Sequence, residues 1–158
     1  MKKFLFTLIV LLGSTLAWAG KPAKVQTLIN EYRHQDGFET LSVGPVGISL
    51  LRTLIRHSGD VDAEDLEVLR CFDKIRRLTI VDYEDADADV RARFNRKAER
   101  LLKGMELILE AKDDGERLSI YGTDDGGSVR DCILYSPEGM LLCVKGSLNL
   151  EKLMEYAD

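Results

Sequence analysis

Three cysteines, two histidines and several spaced aspartates are the residues of this chain with chemistry to offer. Cys71, Cys132 and Cys143 form no CxxC pair, and His34 and His57 stand far apart. A thiolate–imidazole metal site would need all of them to converge from distant positions. They read instead as buried thiols acting as small apolar residues, and the odd count leaves at least one unpaired in a monomer. Cys132 and Cys143 lie symmetrically about Ser136-Pro137-Glu138-Gly139, so a symmetric hairpin would set them opposite one another. A one-residue shift through a bulge at Gly139 sets Asp131 beside Lys145 and gathers Cys132, Leu134, Met140, Leu142 and Val144 on one face. That register separates the two sulfurs onto opposite faces, where they cannot bridge. It makes Cys132 the buried thiol and Cys143 the reactive one.

Asp85-x-Asp87-x-Asp89 begins like a calcium loop but carries Val90 where glycine is required and Arg96 where glutamate is required. Asp60-x-Asp62-x-Glu64 fails in the same way, with Cys71 at its twelfth position. Carboxylates at 85–89 suit a helix start, where the dipole favours them. The turn chemistry of a hairpin accounts for Asp124-Asp125-Gly126-Gly127-Ser128. No phosphate-binding loop and no Gly-x-Ser-x-Gly elbow occurs. Both histidines read as surface residues at helix ends. No catalytic residue, metal site or cofactor is therefore assigned from the sequence.

The N-terminus has its own pattern. Lys2 and Lys3 precede an apolar run over Phe4–Leu12, and Ala17-Trp18-Ala19 supplies a small-x-small cleavage site. Residues 1–19 are expected to be a signal peptide and 20–158 a single α+β domain, periplasmic or extracellular. The run is too short to span a bilayer, and no cysteine near the cut offers lipid attachment, so no stable membrane anchor is expected after cleavage. The remaining chain has twenty basic residues against 27 acidic ones. That balance argues against nucleic acid and against adsorption to anionic lipid.

The elements follow from periodicity. Val25, Leu28, Ile29 and Tyr32 mark a helical face over Pro22–His34. A strand over Phe38–Val43 leads through Gly44-Pro45 into a helix reaching His57. Ile75–Tyr83 reads as a central strand, and Val90, Phe94, Ala98, Leu101 and Leu102 as the stripe of the longest helix. From Met105 the pattern becomes a meander. Asp114-Gly115 predicts a two-residue hairpin that pairs Lys112 with Arg117 and places Leu107, Leu109, Ala111, Leu118 and Ile120 on one face. Asp125-Gly126-Gly127 is expected to be a three-residue loop, and Asn149 to cap a short last helix. The fold class is α+β: a mixed sheet of about six strands ending in a four-stranded antiparallel meander, with helices packed on its apolar face.

The other face of that meander carries Ile108, Tyr121, Ile133, Tyr135 and Leu141 among charged residues, alternating to polar only in part. Three readings stand: a first helix covering that face, ordinary aromatic and β-branched strand residues, or a ligand or partner surface made of those five residues.

The order of features resembles a family of small exported proteins of Gram-negative bacteria known only as a domain of unknown function. The resemblance rests on Val43-Gly44-Pro45-Val46-Gly47-Ile48-Ser49 before a Leu-rich helix and on Ile75-Arg76-Arg77-Leu78. It continues in Ala111-Lys112-Asp113-Asp114-Gly115-Glu116 ahead of Leu118-Ser119-Ile120-Tyr121, and in Gly146-Ser147-Leu148-Asn149-Leu150. It covers most of the chain after the leader and carries over a fold but no catalytic residue. The sequence thus supports a non-catalytic exported protein that binds an envelope protein or a small ligand. A small envelope hydrolase with an unrecognised active site is the alternative. N-terminal sequencing of the exported product is expected to begin near Gly20; retention of the leader, or extraction only with detergent, would contradict this.

Overall fold

The computed structural model describes residues 22–57, 70 and 73–157. The expected leader over 1–19, the acidic segment over 60–65 and Cys71 lie outside the described residues. The described elements run α1 (Pro22–Tyr32), β1 (Glu39–Val43), α2 (Pro45–His57), β2 (Ile75–Asp82), α3 (Ala88–Leu102), β3 (Glu106–Asp113), β4 (Glu116–Asp124), β5 (Ser128–Ser136), β6 (Met140–Asn149) and α4 (Leu150–Ala157). The six strands form one sheet in the order β1-β2-β6-β5-β4-β3, giving the expected α+β architecture. Every pairing is antiparallel, where a mixed sheet was expected. Val43, at the end of β1, pairs with Leu78 near the start of β2. The connection through α2 therefore returns the chain to the end of the sheet it left, which fixes the antiparallel sense.

Turn chemistry sets the meander registers. Asp114 (φ 46°) and Gly115 (φ 86°) form the two-residue turn, and Lys112 pairs with Arg117 as expected. The next loop is shorter than expected. Asp125 N–H donates to the Ser128 carbonyl at 2.8 Å, leaving Gly126 and Gly127 as a two-residue turn with both φ positive. Two glycines reach that conformation without steric cost, and its twist matches the flanking strands. At the β5–β6 turn, Ser136 pairs with Met140 and Leu134 with Leu142, the shifted register. Gly139 sits at φ 151°, where a Cβ would come within 2.5 Å of the Glu84 backbone.

These registers line up rows that cross all six strands. One row runs Ser42, Thr79, Cys143, Ile133, Tyr121, Leu107; another, on the opposite face, runs Leu41, Ile80, Leu142, Leu134, Ile120, Leu109. A bulge at Ile108 sends Leu107 to the face opposite Leu109, correcting the single-face expectation for that pair.

Both faces are apolar and both carry helices. On the first, α1 supplies Val25, Leu28, Ile29 and Tyr32, and α3 supplies Phe94, Ala98 and Leu102, against Val81, Tyr83, Ile133, Tyr135, Leu141 and Cys143. On the second, Ile48 and Leu51 of α2 and Leu150 of α4 pack with Leu41, Val43, Ile120, Cys132 and Val144. Asn149 caps α4, its Oδ1 accepting from Lys152 N–H at 3.1 Å.

The balance of burial reverses the expected one. Leu141 is fully buried, whereas Leu109 on the supposed core face is 38% exposed and Leu142 is half-buried. Leu141→Ala is therefore expected to cost about 2–5 kcal/mol and Leu109→Ala less than about 1.5 kcal/mol. Denaturant midpoints decide this, and equal losses at the two positions would contradict the assignment of the main core.

Candidate functional site

Helices α1 and α3 lie over the surface that the sequence offers as a ligand or partner face. Ile133, Tyr135 and Leu141 are buried beneath them, and Tyr121 packs half-buried at the margin of the same core. Ile108 is carried by its bulge to the second face, half-buried beside Ile120 and Leu134. The five residues form no exposed surface. The four apolar positions of α1 and the Phe94–Ala98–Leu102 stripe of α3 account for this, because each needs an apolar face to cover.

Four rings hold this layer together. Phe94 lies 4.6 Å from Tyr83, 5.2 Å from Tyr32 and 5.3 Å from Phe38 between ring centroids, and Phe38 stacks on Tyr83 at 5.4 Å. Tilted and edge-on pairs of this kind contribute about 0.5–1.5 kcal/mol each beyond area burial. The Tyr83 hydroxyl has Asn95 Oδ1 at 2.8 Å and the Ser136 carbonyl at 3.0 Å as acceptors, and Asn95 Nδ2 donates to the Pro137 carbonyl at 2.8 Å. Glu99 Oε1 accepts from Arg117 Nη2 at 2.8 Å and from the Tyr135 hydroxyl at 3.3 Å. Burial raises the pKa of both tyrosines. Each phenol is thus a neutral donor that ties α3 to the sheet.

The two described thiols are no better placed for nucleophilic chemistry. Cys132 and Cys143 are both free and buried, on opposite faces of the sheet. Their separation follows the shifted register, but the exposure expected of Cys143 is absent because α1 and α3 cover its face. Desolvation pushes Cys132 up to about 11 and Cys143 up to about 12, whereas a reactive thiol needs its pKa lowered. His34 and His57 are exposed. Among the described residues no group of three or more His, Cys, Asp or Glu could hold a metal ion.

The fold does expose one apolar row. Val46, Leu50 and Leu54 recur one helical turn apart on α2 and are 83%, 41% and 49% exposed. Ile48 and Leu51 of the same helix point into the second core. A surface helix normally has one apolar stripe and a polar back; α2 has apolar side chains on both. Its basic side chains, Arg52, Arg56 and His57, all fall in its second half. The signal was present in the sequence as apolar residues at 46, 48, 50, 51 and 54, too many for one face. Among the described residues no helix is long and apolar enough to cross a membrane.

The model of one family, described as a domain of unknown function (DUF4252), matches residues 32–156. No curated protein and no solved structure matches the chain.

The buried thiols give a direct test. In a Cys71→Ser variant, Cys132 and Cys143 are both expected to resist maleimide at pH 8 in the native state and to react in denaturant. Their folded pKa values lie above the unfolded value of about 8.5. The unfolded state therefore releases protons first, and these two groups are expected to lower stability between about pH 8.5 and 12 but not below. Rapid native labelling at Cys143 would contradict the cover of its face by α1 and α3, and a Cys132–Cys143 link in the non-reduced mass would contradict the register.

Proposed function

The chain belongs to this DUF4252 family, and we propose that it is an exported, non-catalytic protein that binds another protein through the outer stripe of α2. Export rests on the Lys2-Lys3, apolar-run and Ala17-Trp18-Ala19 pattern of the first nineteen residues. Binding rests on one observation: Val46, Leu50 and Leu54 stand exposed in a single row, with no charged residue among the three. Leaving such a row in water forfeits about 25 cal/mol for each Å² of apolar surface that a partner would cover. Positions 46, 50 and 54 on a regular helix suit an apolar groove on the partner, the arrangement in which anchors one turn apart enter successive pockets. The buried thiols and the phenols committed to hydrogen bonds support a binding role over hydrolysis.

A photoreactive phenylalanine at Leu50 or Leu54 is expected to give a discrete cross-linked partner in the producing cell, and the same probe at Glu116 is not. Leu50→Glu combined with Leu54→Glu is expected to abolish the adduct formed from a probe at Val46, with folding stability changed by less than about 1 kcal/mol. Equal adducts from position 116 would overturn the reading. So would a loss of several kcal/mol in the double variant, which would mean that the stripe is covered within the chain.

A further inference from the structure

On the opposite side of the sheet, α3 concentrates positive charge in an otherwise acidic protein. Between Ala88 and Lys103 the chain carries Arg91, Arg93, Arg96, Lys97, Arg100 and Lys103 against only Asp89 and Glu99. Arg93, Arg96, Lys97 and Arg100 are neighbours at three- and four-residue spacings, away from the buried Phe94–Ala98–Leu102 stripe. Every such neighbouring pair in this set is a like-charge contact, which destabilises a helix. Solubility alone would be met at lower cost by alternating signs. The four cations line a groove of about 420 Å³ between α1 and α3, with the Tyr32 ring in its wall. Among the described residues Glu31 is the only acid lining it, and Glu31 is bonded to Lys97, whose Nζ also lies 5.3 Å from the centre of the Tyr32 ring. Among the described residues Arg93, Arg96 and Arg100 have no carboxylate at ion-pair distance.

We propose that this groove binds a small, multiply charged, phosphate-bearing anion. Its volume is that of a small-molecule site rather than an extended macromolecular interface. Three guanidinium groups present planar forks that fit phosphate oxygens in pairs. Along the same seam, Arg100 is shared with a second hollow of about 240 Å³ lined by Val25, Leu101, Gly104 and Met105, with Lys24 at its side. An apolar tail would fit there, so the phosphate can be that of a free solute or of a lipid headgroup.

The test uses tripolyphosphate as the soluble probe, titrated calorimetrically at about 0.1 M salt, where charges beyond about 10 Å are screened. Phosphatidylcholine vesicles with and without phosphatidylglycerol form the lipid arm. Tripolyphosphate is expected to bind, about tenfold or more weakly to an Arg93→Gln/Arg96→Gln variant and more tightly to Glu31→Gln. An Arg76→Gln/Arg130→Gln variant, altered at a different basic hollow, is expected to bind as the unaltered protein does. Co-sedimentation with the anionic vesicles that tripolyphosphate reverses identifies a lipid headgroup; tripolyphosphate binding without co-sedimentation identifies a soluble phosphate. The proposal fails if tripolyphosphate does not bind, if vesicle binding resists displacement by it, or if both double variants lose affinity equally. It also fails if a polyglutamate peptide binds as tightly as tripolyphosphate. All the exchanged side chains are at the surface, and circular dichroism checks that each variant is folded.

Discussion

The packing of Phe94 against Tyr32, Phe38 and Tyr83 is the contact from which the rest of the molecule can be worked out. These rings come from α1, the entry to β1, the end of β2 and α3, so one cluster fixes two helices on one sheet face. Tyr83 has no exposed surface, and its hydroxyl meets Asn95 and the Ser136 carbonyl, extending the same constraint to the β5–β6 turn. A buried phenol without such acceptors would carry the cost of an unsatisfied donor. Once α1 and α3 are held there, Ile133, Tyr135 and Leu141 must be interior, and Cys143 loses its access to solvent.

The second face is thereby left to α2 and α4. At the β1 end, α2 covers Leu41 and Val43, while Leu109 at the far end of the same row stays partly open. Central strands sandwiched between two helical layers read as unbroken apolar runs, as in Cys132-Ile133-Leu134-Tyr135 and Leu141-Leu142-Cys143-Val144. The apolar outer stripe of α2 cannot be explained in the same way, because it faces away from both cores.

Charge is distributed as unevenly as hydrophobicity. The acidic balance of the whole chain averages away a helix whose exposed face is almost purely cationic. Net charge describes solubility and long-range steering, but a ligand meets only the groups within a Debye length. The α1–α3 groove and the α2 stripe lie on opposite layers, so binding at one does not require the other.

Periodicity and turn chemistry in the sequence by themselves determined the element order, the Asp114-Gly115 hairpin, the Asn149 cap and the register that keeps Cys132 and Cys143 apart. These are local matters: side-chain period is fixed by backbone geometry, and turn residues act within four positions. The two-residue Gly126-Gly127 turn and the Ile108 bulge were less legible, since an extra residue in one strand depends on its partner. The sequence also left open which sheet face the helices cover, because apolar side chains occur on both and an amphipathic helix does not name its partner surface. Tertiary packing alone decided that the face bearing Ile133, Tyr135 and Leu141 is the main core. The same packing turned Val46, Leu50 and Leu54 outward, because one helix cannot press two opposite stripes against a single sheet.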